Sequence, residues 1–268
     1  MKKLLDEFGV SESQVRKMLL ARKSKKPKVL TRFFTNKEFR FGVVSDTHLC
    51  STHEKLNELH TFYAICKKVG VKHVFHAGDL VAGWGIYFGQ ENEVHTFGAA
   101  GQADYVIRHY PKIEGITTYF ITGNHCLSFF KRSGVDIGEL VVAKRPDMIY
   151  LGQCQGDVEV NGIKFRLLHP DGGGAYAISY RGQKIAEQIP SGQKPDVLML
   201  GHYHVSNYFW YRNMHILNCG SFEGQTLFLL RKGINPAIGG WICTAKKGNG
   251  RDRVLAFETS WVPFFEGG

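Results

Sequence analysis

Five short apolar runs in this chain end alike, and that repetition limits the possible folds more than any other feature. Phe39–Ser45 runs into Asp46-Thr47-His48, Val71–Ala77 into Gly78-Asp79, and Ile116–Thr122 into Gly123-Asn124-His125. Ile163–Leu168 then stops at His169, and Asp196–Leu200 stops at Gly201-His202-Tyr203-His204. Short apolar runs bounded by turn residues read as buried strands. Segments of helical period lie between them at Glu54–Val69, Glu93–His109 and Tyr176–Ile189. Val158–Val160 and Ile163–Leu168 flank Asn161-Gly162, the signature of a hairpin with a primed turn. Further strands are expected at Tyr208–Tyr211, His215–Asn218, Trp241–Ala245 and Val254–Phe257, the last two around a Lys/Gly/Asn turn. Strands alternating with helices predict an α/β fold.

Strand ends of such a sheet converge on one rim, where ligands bind. Residues i and i+2 of an extended segment point the same way, so Asp46 with His48, and His202 with His204, are each expected to grip one site together. Gly78, Gly123 and Gly201 permit tight turns and close backbone approach beside these groups. One strand-end Asp or His is most often a turn former or a hydrogen-bonded structural residue. Eight of them (Asp46, His48, Asp79, Asn124, His125, His169, His202 and His204) on successive strand ends are not explained that way. The set points to a metal site.

Taken in order, these blocks resemble the five signature blocks of the calcineurin-like metallophosphoesterases, and the resemblance spans residues 39–260. It implies two stacked mixed β-sheets flanked by helices, with a dinuclear metal centre on the strand-end rim. By that resemblance Asp46, His48, Asp79 and His204 hold one ion. Asp79, Asn124, His169 and His202 hold the second, and Asp79 bridges. Carboxylate, imidazole and amide donors without thiolate suit Mn²⁺, with Fe or Zn²⁺ as alternatives. Two bridged cations produce hydroxide at neutral pH and neutralise phosphate oxygens during displacement. His125, beside ligand Asn124 but outside the ligand pattern, is the expected general acid for the leaving group; the alternative is a residue that only orients the site.

The family places Asp after the Gly-Asn-His block, whereas Cys126 stands here. A thiol is a poor acceptor, so support for His125 must be weaker or come from elsewhere. Ser/Thr protein phosphatases carry a monoester-clamping arginine just after the second block; here no arginine occurs between Asp79 and Asn124 until Arg108. That favours the phosphodiesterase and nuclease branches. Trp84, Tyr87, Phe88, Phe97 and Tyr105 offer faces for unpaired bases, or equally a hydrophobic cap or dimer surface. The glycine-rich Pro170–Tyr176 stretch, with Arg181 and Lys184 beyond, is a candidate substrate loop. His76 reads as a packed core histidine.

Charge divides the chain. Its 268 residues carry 34 Lys and Arg against 24 Asp and Glu, a net charge of +10. Residues 1–40 hold 12 of those bases and 4 of the acids, a net of +8, leaving +2 for residues 41–268. The expected division is therefore a basic helical arm and linker over 1–38 and a catalytic domain over 39–268. Leu4, Leu5 and Phe8, then Val15, Met18 and Leu19 behind a Ser11 cap, read as a helical hairpin. It is either part of a helix-turn-helix or an amphipathic pair packed on the body or a partner. Such an arm suggests a polyanionic partner. The six cysteines form no CxxC pair, which excludes a zinc ribbon and fits a reducing compartment. No apolar run reaches ~18 residues, and acids interrupt the amino terminus. A cytoplasmic protein without a membrane span is expected.

The reading that joins these features is a metal-dependent phosphodiesterase or nuclease acting on DNA or RNA. One alternative is a small-molecule, cyclic nucleotide or nucleotide phosphodiesterase or phosphatase. A further one is a non-catalytic DNA-binding adaptor with a structural metal site. Oligomeric state is left open.

Overall fold

A computed structural model describes residues 30–32, 38–248 and 254–265. The helical hairpin expected within the arm lies outside the described residues. In chain order the elements are β1 (Leu30–Arg32), β2 (Glu38–Val44), α1 (Leu56–Lys68), β3 (His73–His76), α2 (Ala99–His109) and β4 (Thr117–Thr122). Next come α3 (Leu127–Ser133), α4 (Ile137–Val142), β5 (Met148–Gln153), β6 (Gln155–Val160), β7 (Ile163–Leu168) and α5 (Tyr180–Gln188). The chain continues with β8 (Val197–Leu200), β9 (Ser206–Tyr211), β10 (Met214–Cys219), α6 (Leu227–Arg231), β11 (Gly239–Lys247) and β12 (Val254–Pro263).

These strands form two mixed sheets, as the family resemblance implied. One has the order β12-β11-β2-β3-β4-β5, with β2 to β5 parallel and the β11–β12 hairpin added antiparallel. The other has the order β1-β6-β7-β8-β10-β9. The expected hairpin joins β6 to β7, and Asn161 (φ 53°) with Gly162 (φ 81°) makes its left-handed turn. Leu30–Arg32, within the stretch expected to be arm, pairs parallel with β6.

The inner faces meet in one apolar layer. Phe41, Val43, Phe75, Tyr119 and Ile121 from the first sheet pack against Val158, Phe165, Leu167, Val197, Met199 and Leu217 from the second. The outer face of the first sheet is covered by α1, α2 and α4 through Leu59, Phe62, Val106 and Val141. That of the second is covered by α5 through Ala186. The result is a helix–sheet–sheet–helix stack. Among the described residues, no helix is long and apolar enough to cross a membrane.

Two helices are shorter than their periodicity predicts. The segment from Glu93 becomes helical only at Ala99, because Val94 bridges Ser51 and Gly98 takes φ 74°. The segment from Tyr176 becomes helical only at Tyr180, after a glycine-rich loop that leaves Tyr176 fully exposed. The strand β5 and the short helices α3, α4 and α6 go beyond the sequence reading. Each is only five to seven residues long, too short for a period to register.

Candidate metal centre

The stacking brings the five strand ends to one rim. β2, β3 and β4 deliver Asp46 and His48, Asp79, and Asn124 and His125, while β7 and β8 deliver His169, His202 and His204 from the facing sheet. Hydrogen bonds tie neighbouring strand ends within each sheet, and one bond joins the two rims. Asp46 N–H donates to Gly78 O at 2.9 Å, Gly201 N–H to Leu168 O at 3.1 Å, and His202 N–H to Asp46 Oδ2 at 2.9 Å.

The side chains fall into two main clusters, Asp46 with His48 and His204, and Asp79 with His169 and His202, linked by a third group of His48, Asp79 and His125. In the first, His48 Nε2 lies 3.2 Å from His204 Nε2, and His204 Nε2 lies 3.3 Å from Asp46 Oδ1. In the second, His169 Nε2 is 3.0 Å from Asp79 Oδ2 and 3.1 Å from Asn124 Oδ1, which is 3.0 Å from His202 Nδ1. Asp79 Oδ2 is also 4.0 Å from His48 Nε2, so one carboxylate oxygen faces both groups. Donors ~2.1 Å from a common ion, at right to tetrahedral angles, sit about 3.0 to 3.4 Å apart. The closest contacts in both clusters match that spacing. The donor set therefore fits divalent cations.

Backbone geometry shows why these residues reach the clusters. Asp46 (φ 50°), His48 (φ 40°), Asp79 (φ 53°), His202 (φ 79°) and His204 (φ 54°) all adopt the left-handed region, which non-glycine residues rarely enter. Hydrogen bonds hold them there, among them His48 N–H to Asp79 O, Phe222 N–H to Asp46 O and Ala237 N–H to His204 O. Left-handed residues break strand alternation. Asp46 and His48 still share a cluster, whereas His202 and His204 separate, His204 to the first and His202 to the second. The alternation of a strand would point His202 and His204 the same way; the division between clusters is the one the family resemblance implies. Glycine is required where the backbone crosses the site: a Cβ on Gly78 would lie 2.3 Å from His169 Nδ1, and one on Gly123 2.4 Å from Asp79 Oδ1.

With this geometry in view, residues 39–230 match the family model of the calcineurin-like phosphoesterase superfamily domain. The chain belongs to that superfamily. It is 27% identical over 205 residues to a DNA polymerase II small subunit of Methanothermobacter thermautotrophicus, covering 63% of this chain and 42% of that one. It is 24% identical over 250 residues to the DNA polymerase II small subunit of Archaeoglobus fulgidus, covering 76% of this chain and 50% of that one. The chain spans half or less of the length of these curated relatives. Among solved structures, a novel archaeal phosphodiesterase superposes with a TM-score of 0.46 at 16% identity, covering 84% of this chain and 100% of that one. Zinc-complexed Vps29 from Entamoeba histolytica superposes with a TM-score of 0.41 at 12% identity, covering 84% and 99%.

Calcineurin-like phosphoesterases work through charge, and the charge here is deeply buried. Burial opposes ionisation of Asp46, yet the neighbouring His169 and His204 hold its carboxyl well below the usual range. Asp79 is lowered in the same way, against its burial, mainly by His169. In return, and again against burial, His48 and His169 are each raised to about 9, His48 chiefly by Glu223 and His169 chiefly by Asp79. Backbone carbonyls orient the imidazoles of the second cluster: His169 Nδ1 donates to Ala77 O at 2.9 Å, and His202 Nε2 to Gly172 O at 2.8 Å. That second contact draws the glycine-rich loop to the rim.

His125 stands against the same centre, with its ring 4.3 Å from that of His48 and edge-on to it. Its N–H donates to Asp79 Oδ1 at 2.8 Å, and its Nδ1 donates to Ala82 O at 2.7 Å. Support for the ring thus comes from a backbone carbonyl. Cys126 is buried at the start of α3, its thiol pushed up to about 12 by burial and by Asp79. Arg108 pairs with Asp104 on the exposed face of α2. His76 is a packed core residue bonded to Thr47 Oγ1. Of the aromatics beyond Asp79, Phe88 and Phe97 are exposed, Trp84 packs edge-on against Phe97, and Tyr87 stacks on Phe228. Sequence reasoning missed Glu223, a buried carboxylate 3.8 Å from His48 Nε2. It follows no strand-end block, and only the fold of the β10–α6 loop brings it near.

Proposed function

We propose that this chain is a two-metal phosphodiesterase acting on nucleic acid in the cytoplasm, with Asp46, His48, Asp79 and His204 around one ion and Asp79, Asn124, His169 and His202 around the other. The single observation that supports this reading best is the position of Asp79, whose one oxygen faces His48 at 4.0 Å and His169 at 3.0 Å. Two divalent ions, most simply Mn²⁺, would supply an activated water as nucleophile and neutralise the phosphate oxygens. The chain's own residues do the rest. The strand ends fix donor spacing, the left-handed turns aim the side chains, and the carbonyls of Ala77 and Gly172 lock the imidazoles of His169 and His202.

His125 acts on the leaving group. Burial, with His48 adding to it and Asp79 opposing, depresses its pKa to about 3, so the free site holds it neutral. With Nδ1 committed to Ala82, its Nε2 would take a proton from solvent water as the anionic diester docks and pass it to the departing oxygen. The absence of an arginine between Asp79 and Arg108 supports a diester over a monoester. A nucleic-acid substrate is supported by the basic arm and by similarity to DNA polymerase II small subunits.

A second reading, an adaptor that keeps the metals for stability, is favoured by one observation: the relatives named above are subunits of a polymerase. The experiment that separates the readings is a Mn²⁺-loaded assay against single- and double-stranded DNA, RNA, a simple diester and a simple monoester. Diesters are expected to lead. Binding of DNA with no turnover of any substrate supports the adaptor, and a wide monoester preference removes the diesterase.

A further inference from the structure

The two clusters are short of negative charge. Two divalent ions bring four positive charges, and the proposed donors supply two carboxylates, Asp46 and Asp79, beside neutral imidazoles and an amide. Both carboxylates are 1% exposed or less, so the remaining positive charge would be held in a water-poor site, where uncompensated charge is costly. Among the described residues, Glu223 is the one further carboxylate within 4.0 Å of a donor nitrogen of either cluster. Its Oε2 lies 3.8 Å from His48 Nε2, the nitrogen facing the first cluster, and its side chain is 7% exposed.

The carboxylate of Glu223 is buried beside His48. It receives no hydrogen bond from a described residue, and its ion-pair partner is His48. Its backbone, by contrast, is firmly held. Glu223 N–H donates to Ser221 Oγ at 3.0 Å, Ser221 Oγ donates to Asp46 O at 3.0 Å, and Glu223 bridges Glu54. The loop carrying the extra carboxylate is therefore strapped to the strand end carrying Asp46. A nine-tenths buried carboxylate, rigidly mounted and facing a donor atom, is what a cation site needs just beyond its direct donors.

We propose that Glu223 is a third carboxylate of the metal centre, an outer residue that offsets the surplus charge of the first cluster and raises its affinity for a divalent cation. This inference rests on the two-ion reading above. Glu223 is a positioning residue here, acting on the cation through its charge and its contact with His48.

The test is a Mn²⁺ titration of wild type, Glu223→Gln and Glu223→Asp by calorimetry, with melting curves of each protein in chelator. Glu223→Gln is expected to keep two binding events while one weakens about 10–100-fold. Glu223→Asp, which keeps the charge, is expected to recover part of that loss. Unchanged affinities in Glu223→Gln would overturn the proposal, including the case where only its chelator melting temperature falls, which marks a purely structural role. Equal weakening in Glu223→Asp and Glu223→Gln would also overturn it, because charge would then not matter. Failure of wild type to bind Mn²⁺ would instead remove the two-ion reading, a result distinct from any difference between variants.

Discussion

The Nδ1 of His125 lies 2.7 Å from the carbonyl oxygen of Ala82, and this contact leaves Nε2 as the nitrogen that can exchange a proton with a substrate. A ring held this way helps most when the leaving oxygen is a poor leaving group. His125→Ala is expected to lower hydrolysis of a dinucleotide about 10²–10⁴-fold. Bis(p-nitrophenyl) phosphate, whose phenolate leaves unaided, should lose far less. Equal losses on the two substrates in steady-state assays would assign His125 an orienting role.

Cys126 occupies the position where the family resemblance leads one to expect Asp, and the structure makes that substitution costly. The thiol is 2% exposed and feels the charge of Asp79, so Cys126→Asp would bury a second carboxylate without a counter-ion. We expect a loss of about 3–5 kcal/mol in urea unfolding. Cys126→Ser should lose clearly less. A stable Cys126→Asp with higher activity would show that the carboxylate has a role the Ala82 contact does not fill.

Close packing around Gly78 and Gly123 makes metal binding sensitive to a single methyl group. Gly78→Ala drives a Cβ to 2.3 Å from His169 Nδ1, and Gly123→Ala to 2.4 Å from Asp79 Oδ1. Gly78 also holds φ 103°, so its replacement adds backbone strain. Both variants are expected to weaken Mn²⁺ binding at least about tenfold. Near-wild-type binding in either one would mean that the rim relaxes more than its packing implies.

Acid should destabilise the fold through His76. Burial, only partly offset by Asp46, lowers this histidine from 6.5 to about 4. The unfolded chain takes up the proton first, so the stability contributed is present above pH 6.5 and lost as pH falls toward 4. The loss is on the order of 3 kcal/mol, at about 1.4 kcal/mol per pKa unit. Urea unfolding of wild type and His76→Gln at pH 7.5 and 5.0 isolates it from His125 and His215, which burial lowers in the same direction. The two proteins should differ in pH slope, and parallel slopes would show that His76 is not the acid-sensitive group.

Much of this candidate centre was legible because its proposed donors sit in short blocks after apolar strands. Asp46, His48, Asp79, Asn124, His169, His202 and His204 could be picked out residue by residue, and the two-sheet architecture followed from the family blocks. The separation of His202 from His204 was not visible from alternation alone, since it depends on left-handed backbone that strand periodicity cannot encode. Ala82 was silent because its contribution is a carbonyl, which every residue carries. Glu223 was silent because it reaches the rim through a loop, and the bridge that seats it spans from Glu54. Short elements such as α3 and α6 take their form from tertiary packing and left no period to read.

Turnover of bis(p-nitrophenyl) phosphate by wild type and Asp79→Asn, each titrated with Mn²⁺, tests the two-ion hydrolysis most directly. Asp79 Oδ2 lies 3.0 Å from His169 Nε2 in one cluster and 4.0 Å from His48 Nε2 in the other, so its neutral isostere should disturb both at once. The account predicts Mn²⁺-dependent turnover in wild type that saturates with two ions bound, and a loss of at least about a hundredfold in Asp79→Asn. Turnover that persists in Asp79→Asn, or that reaches its maximum in wild type with one ion bound, would contradict it.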